Sequence, residues 1–320
     1  MILTLTPNPS LDRTIELADP LQRGEVQRAT SSVAHPGGKG VNIVRALTAS
    51  GIETLALLPG DAGDAVVLAL ELEKIPHLAM PIGAPLRSNV AITEPDGTTT
   101  KVNEPGPVLT SAHLSDLLEL TVKMSDGAGW LVLAGSLPPG APDDYYAVVI
   151  EAVRAAYGPR APRIAVDASG APLRQCLRAA PDLLKPNGEE LAELTGLSNG
   201  SELEADPGAA AAASATLLQS GVGAVLATLG SKGAVLTTNH GTWHGRGPAI
   251  KAKSTVGAGD SALSGYLLAN LRGDSPEACL QQAVAHGAAA ASLPGTMVPS
   301  LAQTSPAAIT VTALTPPEEN

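Results

Sequence analysis

The residues best suited to chemistry fall in a few short stretches where glycine, lysine and carboxylates precede a helix. The sharpest is Ser254-Thr255-Val256-Gly257-Ala258-Gly259-Asp260-Ser261, which leads into a helical pattern over Ala262–Leu271. Gly257 and Gly259 let the backbone approach an anion closely, and a helix N-terminus aims several unpaired N–H groups at it. Such a cradle favours a phosphate whose charge grows during transfer. Asp260 stands at its rim, an odd place for a carboxylate if anion binding were the only task. A carboxylate there can take the proton of an attacking hydroxyl. The competing reading makes Asp260 the N-cap, a common role for aspartate, and the local residues leave both open.

Four weaker stretches join it. Pro36-Gly37-Gly38-Lys39-Gly40-Val41-Asn42 is glycine-rich, carries a lysine and opens a helix. It is not a GxxxxGK[ST] loop, because Val33 stands where the first glycine belongs and Gly40 follows Lys39. It reads as a backbone cradle with Lys39 as a point charge for a second phosphate, or as a tight turn with a solvated lysine. Asp12 follows Thr6-Pro7-Asn8-Pro9-Ser10-Leu11 at the end of the first strand, where open parallel sheets bind ligands. It can hold a pair of sugar hydroxyls or simply cap a turn. In Leu184-Lys185-Pro186-Asn187-Gly188-Glu189-Glu190-Leu191, Asn187 and Glu190 have the spacing of a capping box. The same pair can approach a metal–triphosphate, Glu190 through water. Thr228-Leu229-Gly230-Ser231-Lys232-Gly233, between two apolar strands, looks by itself like a hairpin turn. No HExxH, GxSxG or Ser/His/Asp set competes, and the six histidines are dispersed.

The elements that must hold these groups alternate. Ile2–Thr6, Thr54–Leu58, Trp130–Ala134, Ile164–Asp167 and Ala224–Leu229 read as strands. Val41–Ser50 (stopped by Gly51), Asp64–Glu73, Asp143–Tyr157, Ala262–Leu271 and Pro276–Ala291 read as helices. Strands separated by helices imply parallel βαβ units with helices on both faces of the sheet. Ser88–Thr93 and Thr98–Asn103, joined by Glu94-Pro95-Asp96-Gly97, break the rhythm and read as a β-hairpin flap. Thr14–Val33 lacks a helical period and supplies further strands to the flap. Ile309–Leu314 reads as a last edge strand, and the end Pro316-Pro317-Glu318-Glu319-Asn320 as a frayed tail.

Composition sets the class. A chain of 320 residues with 44% hydrophobic residues has the length and apolar content for one large α/β domain. Aromatics are only 2% and Phe is absent, so Ala, Val, Leu and Ile must fill the core and no stacking platform for single strands is expected. A formal charge of −11 argues against nucleic acid and anionic membrane as partners. Cys176 and Cys279 lack zinc-ligand spacing and cannot build a disulfide scaffold. The N-terminus reads as a strand rather than a signal peptide, and no apolar run spans a bilayer, so a cytoplasmic location is expected.

Together the motifs resemble the ribokinase-like sugar kinases of the phosphofructokinase-B family. The matching segments are TLTPNPSLDRT, PGGKGVN, RSNV, NEPGP, AGSLPPG, KPNGEEL, TLGSKG and STVGAGDS, from residue 4 to residue 261. STVGAGDS is nearly diagnostic of the family. PGGKG with NEPGP is similar to the branch holding the 1-phosphofructokinases and tagatose-6-phosphate kinases, and the opening and Leu293-Pro294-Gly295-Thr296 lean toward the former. Two small departures appear: Thr228 where the family usually has Ser, and Ala134 where it has another.

The resemblance implies a three-layer α/β/α sandwich with a mainly parallel sheet, taken as one domain over 1–320. A β-sheet lid, from about 12–34 and 87–104, is inserted in it and pairs with a second subunit. It implies MgATP as donor and fructose 1-phosphate or a similar ketose phosphate as acceptor. Asp260 becomes the base, with Gly257, Ala258 and Gly259 as the anion hole for the moving phosphoryl. Asp12, Gly38, Lys39 and Asn42 hold the sugar. Arg87 and Lys39 share its phosphate, with Asn89 nearby and Glu104 and Ser136 as weaker carry-overs. Lys185, Asn187, Thr228, Gly230 and Gly233 serve the nucleotide, and Glu190 serves Mg²⁺. A tagatose-6-phosphate kinase, a 6-phosphofructokinase and a non-catalytic sugar-phosphate sensor remain as alternatives.

Overall fold

In the computed structural model, which describes residues 1–314, the elements run in chain order as follows. The first half holds β1 (Ile2–Leu5), β2 (Ser10–Leu17), β3 (Ala29–Gly37), α1 (Lys39–Ala49), β4 (Thr54–Pro59), α2 (Ala65–Leu72), β5 (His77–Met80), β6 (Arg87–Thr93), β7 (Thr99–Asn103), α3 (Ser111–Met124), β8 (Trp130–Ala134) and α4 (Tyr145–Tyr157). The second half holds β9 (Arg163–Asp167), α5 (Gly170–Cys176), β10 (Leu183–Leu184), α6 (Gly188–Thr195), α7 (Gly200–Ala205), α8 (Pro207–Leu218), β11 (Ala224–Thr228), β12 (Ala234–Thr238), β13 (Gly241–Arg246), α9 (Ala258–Leu271), α10 (Pro276–Ala291) and β14 (Thr310–Ala313).

Ten strands form the main sheet in the order β14-β13-β12-β11-β10-β9-β8-β1-β4-β5. From β11 to β5 every pairing is parallel, while β12, β13 and β14 add an antiparallel edge. The edge strand expected over Ile309–Leu314 is β14. The tail read as frayed lies outside the described residues. Alternation divides the core. Leu131 and Leu133 of β8 face one apolar layer with Tyr146, Val149 and Ile150 of α4. Trp130 and Val132 face the other layer with Leu263 and Leu267 of α9 and Leu280 of α10. Helices on both faces explain why β1 and β8 are buried at every position, as parallel strands in such sandwiches must be. No helix among the described residues is long and apolar enough to cross a membrane.

A second sheet of four strands, β3-β2-β6-β7, starts in the segment after β1, and Asn8 just before it meets Ser136 just after β8. It combines the expected hairpin with two strands from the segment that lacked a helical period, and its strands span Ser10–Gly37, a few residues wider at each end than the expected 12–34, and Arg87–Asn103, one residue short of the expected 104. The hairpin closes as its sequence requires. Gly97 N–H donates to the Glu94 carbonyl at 2.9 Å, and Glu94 N–H donates to the Thr98 carbonyl. The helices α3, α5, α7 and α8 and the strands β5 and β13 were not anticipated individually, while β12 is the second of the two apolar strands expected around Thr228–Gly233.

Candidate active site

The two helices that meet under the lid start earlier than their apolar patterns suggested, and this decides the site. Helix α9 begins at Ala258, four residues before the expected Ala262. Its N-cap is Gly257, at φ +73°, a conformation open to glycine, and no side chain caps it. Asp260 is therefore not the N-cap, which corrects that alternative: it lies in the first turn with its carboxylate free for another task. Asp260 is 7% exposed, and its Oδ2 accepts a hydrogen bond from Asn42 Nδ2 at 2.9 Å. Asn42 is placed for this because α1 begins at Lys39, which puts Asn42 in the turn that faces α9.

Lys39 stands at the first position of α1. Its Nζ lies 2.7 Å from Asp167 Oδ1 and 3.5 Å from Glu190 Oε1. Lys185, buried at the end of β10, brings its Nζ to 3.3 Å from the same Asp167 oxygen. Asp167 ends β9 and is wholly buried. The resulting electrostatics are specific. Burial and the neighbouring Asp167 push the Asp260 carboxyl up to about 6, although Asn42, Lys39 and Lys185 pull it back. Burial works against the charged form of Lys39, but Asp167 and Glu190 outweigh it and hold the ammonium well above its ordinary value. Burial likewise opposes ionisation of Asp167, and Lys185 and Lys39 reverse that, so Asp167 stays an anion.

On the nucleotide side expected from the sequence, Asn187 and Glu190 form the capping box of α6. Glu190 N–H donates to Asn187 Oδ1 at 2.8 Å, and Asn187 N–H donates to Glu190 Oε2 at 2.9 Å. This uses the Asn187 side-chain oxygen and leaves Glu190 Oε1 facing Lys39. A parallel bridge joins Asn187 to Thr228, which places the β11–β12 turn with Gly230 and Gly233 directly beside α6. That turn is the hairpin its residues suggested.

On the lid, the register aligns His35, Asp12, Asn89 and Asn103 across four strands on one face. Asp12 Oδ1 accepts from Asn89 Nδ2 at 2.9 Å and from Ser10 Oγ at 2.7 Å. A β-carbon on Gly37 would collide with the Asp12 carboxylate, so any other residue there would push Asp12 from its place. Arg87 donates to the carbonyls of Asn8 and Glu104, and burial lowers its pKa while Asp12 opposes the shift. Glu104 is exposed and accepts from Ser88 N–H at 2.8 Å, a brace within the lid. Ser136 meets Asn8 Nδ2 at 3.4 Å. Lys39 and Arg87, expected to share one phosphate, are thus held by different partners: Lys39 by two carboxylates of the sandwich, Arg87 by the backbone carbonyls of Asn8 and Glu104. Gly38, at φ +108°, is the N-cap of α1.

Sequence reasoning missed Asp167 and Asn8. Asp167 ends an apolar strand, RIAVD, beyond which the parallel-sheet rule expects ligands, and that was the one available signal. Asn8 donates to the Pro105 carbonyl at 3.0 Å and ties the lid to the sandwich. Buried side-chain oxygens without a hydrogen-bond partner include Asn8 Oδ1, Asn42 Oδ1, Asn89 Oδ1 and Asp167 Oδ2. Leaving such atoms unpaired is costly, and a polar ligand can satisfy those on Asn8, Asn42, Asn89 and Asp167.

Comparison with known proteins agrees with this geometry. Residues 6–303 match the model of the pfkB family carbohydrate kinases. A 1-phosphofructokinase of Haloferax volcanii is 35% identical over 303 residues, covering 94% of each chain. An ATP-dependent 6-phosphofructokinase isozyme 2 of Mycobacterium tuberculosis is 33% identical, covering 92% of this chain and 85% of its own. Among solved structures, phosphofructokinase-2 of Escherichia coli superimposes with a TM-score of 0.85 at 29% identity, over 94% of this chain and 96% of that one. With this family match and these relatives, and with a buried carboxylate at an uncapped helix N-terminus, two lysines beside it and a second, four-stranded sheet, the chain belongs to the pfkB family of carbohydrate kinases.

Proposed function

We propose that this protein transfers the γ-phosphoryl of ATP to the 6-hydroxyl of D-fructose 1-phosphate, giving fructose 1,6-bisphosphate and ADP. The observation that carries the reading is the buried Asp260 carboxylate, oriented by Asn42 in the first turn of an uncapped helix. In this reading the 6-hydroxyl oxygen attacks the γ-phosphorus and the bond to the β–γ bridging oxygen breaks. The hydroxyl proton passes to Asp260. The N–H groups of Gly257, Ala258 and Gly259 receive the charge that grows on the moving phosphoryl. Asp12 and Asn89 hold sugar hydroxyls, with Gly38 and Asn42 beside them. Arg87 and Lys39 neutralise phosphate, with Ser136 and Glu104 in supporting places. Asn187, Thr228, Gly230, Gly233 and Lys185 line the nucleotide side. Lid closure over the sugar excludes water and limits wasted hydrolysis.

Among the described residues, no group of three His, Cys, Asp or Glu side chains forms a metal cage. The residues fit a Mg²⁺ that arrives with ATP: Glu190 Oε1, outside the capping box and beside the Lys39 ammonium, can reach such an ion through one of the waters it keeps along with substrate phosphates. When bound, Mg²⁺ neutralises charge on the triphosphate. We place the enzyme in the cytoplasm, and both its cysteines are free and buried.

The test is ADP release from MgATP with fructose 1-phosphate, fructose 6-phosphate, tagatose 6-phosphate and free fructose. We expect kcat/KM for fructose 1-phosphate to exceed the others by about tenfold or more, about 1.4 kcal/mol in transition-state binding. Preference for fructose 6-phosphate would favour the second reading, which the 6-phosphofructokinase relative supports. Release with none of them would favour a sugar-phosphate sensor.

A homodimer through the lid belongs to the same reading. The lid face opposite Asp12 carries Ile15, Val90, Ile92 and Val102, and Val102 is 58% exposed. A second copy would cover this face. Light scattering is expected to give twice the 32.1 kDa chain mass, falling to the single mass in Val102→Arg. A single mass for the unaltered protein would refute the dimer.

A further inference from the structure

Asp167 takes no part in the roles above. It ends β9, its side chain is wholly buried, and its backbone is locked to β8 because Gly135 N–H donates to its carbonyl at 2.9 Å. One of its oxygens, Oδ1, receives both ammonium groups of the site, Lys39 at 2.7 Å and Lys185 at 3.3 Å. The other, Oδ2, has no partner. Lys185 Nζ lies 3.4 Å from where a β-carbon would sit on Gly259, so this ammonium lies against the first turn of α9. Lys39 lies on the other side, toward Glu190. Two like charges on one oxygen, one buried and one only partly exposed, repel each other, and the shared carboxylate lets both stay charged and in place.

We propose that Asp167 is a positioning residue, the common counter-ion that holds the Lys39 and Lys185 ammonium groups together beside Asp260 and the N-terminus of α9. The inference rests on the phosphoryl-transfer reading of that site. Asp167 also competes with bound phosphate for both lysines. It therefore keeps Lys185 from clamping the bound triphosphate, and Lys39 from clamping the sugar phosphate, in the ground state.

The charged and polar groups facing Asp260 are Asn42 and Lys39 from α1, Asp167 from β9 and Lys185 after β10, with Glu190 of α6 reached through Lys39. Asp167→Asn keeps the shape and removes the charge. Its kcat is expected to fall at least about tenfold, while calorimetric affinity for the non-hydrolysable analogue AMP-PNP rises at least about threefold, because the Lys185 ammonium, no longer neutralised by Asp167, now meets the phosphates. The acid limb of kcat/KM is expected to move to lower pH, since Asp167 no longer opposes ionisation of Asp260. Lys185→Met removes one cation instead, and both readouts are expected to move the other way: weaker AMP-PNP binding and an acid limb at higher pH.

A purely structural Asp167 would lower kcat in Asp167→Asn with AMP-PNP affinity unchanged or weaker and the limb unmoved, and that result overturns the proposal. Should Asp167→Asn fail to fold, Lys185→Met decides by the same readouts. The binding arm needs no turnover. An unaltered protein that binds AMP-PNP but phosphorylates no sugar therefore overturns the kinase reading while still judging Asp167. One that binds no AMP-PNP overturns both.

Discussion

Asp260→Asn is expected to lower kcat by about 10²–10⁴-fold while leaving the KM of both substrates nearly unchanged, because a positioned general base contributes about that much. The substitution preserves size and leaves an oxygen for the Asn42 Nδ2 hydrogen bond, so the cradle around the reacting groups should persist. A coupled assay of ADP release measures it, and a variant with more than about a tenth of the unaltered kcat would remove Asp260 from the base role. The pH dependence has a defined sign. Burial and Asp167 raise this carboxyl to about 6, so kcat/KM should fall about tenfold per pH unit below that value as the base is protonated. Stability runs the opposite way. Between the ordinary carboxylate value and about 6, the folded chain holds a proton that the unfolded chain has released. Stability therefore declines as pH rises through that window, and the cost is complete above it. Asp260→Asn is expected to raise Tm at pH 8 and to change it little at pH 3.5, a trade of stability for function. A lower Tm at pH 8 would show that the carboxylate stabilises the fold.

Lys39→Met is expected to lower kcat/KM for the ketose phosphate by about 10²–10³-fold, the usual loss when a preorganised group facing developing charge is removed. The KM for the sugar phosphate should rise as well, because the ammonium lies between Glu190 of α6 and Asp167, within the field of Asp260. An unchanged KM would take Lys39 out of the sugar-phosphate site. Lys39→Arg should rescue little, since a planar guanidinium cannot replace a compact ammonium between two carboxylates. The fold should survive, because Lys185 still compensates the buried Asp167. Circular dichroism melts check this.

How much of this was legible beforehand depended on the distance between partners along the chain. The capping box of Asn187 and Glu190 and the Glu94–Gly97 turn could be read directly, because each closes within four residues. The strand cores of β1, β8 and β9 were equally plain, since a sheet covered on both faces demands unbroken apolar runs. Helix α9 was placed four residues too late because glycine, alanine and aspartate carry no apolar period. Its start is set by Gly257 at positive φ and by packing against α1 and α10.

Residue types and local spacing thus determined the α/β class, the β6–β7 hairpin and the capping box of α6. They settled these because propensity, turn chemistry and capping act over a few residues. Only the tertiary structure decided whether Asp260 would cap its own helix or face Asn42, which lies 218 positions away. Likewise, only the fold revealed that Lys39 pairs with Asp167 across 128 positions and that Lys185 shares the same oxygen. Pairings this distant leave no local trace. They exist because parallel strands bring their carboxyl ends to one edge, where charges distant in sequence are buried together and must neutralise one another.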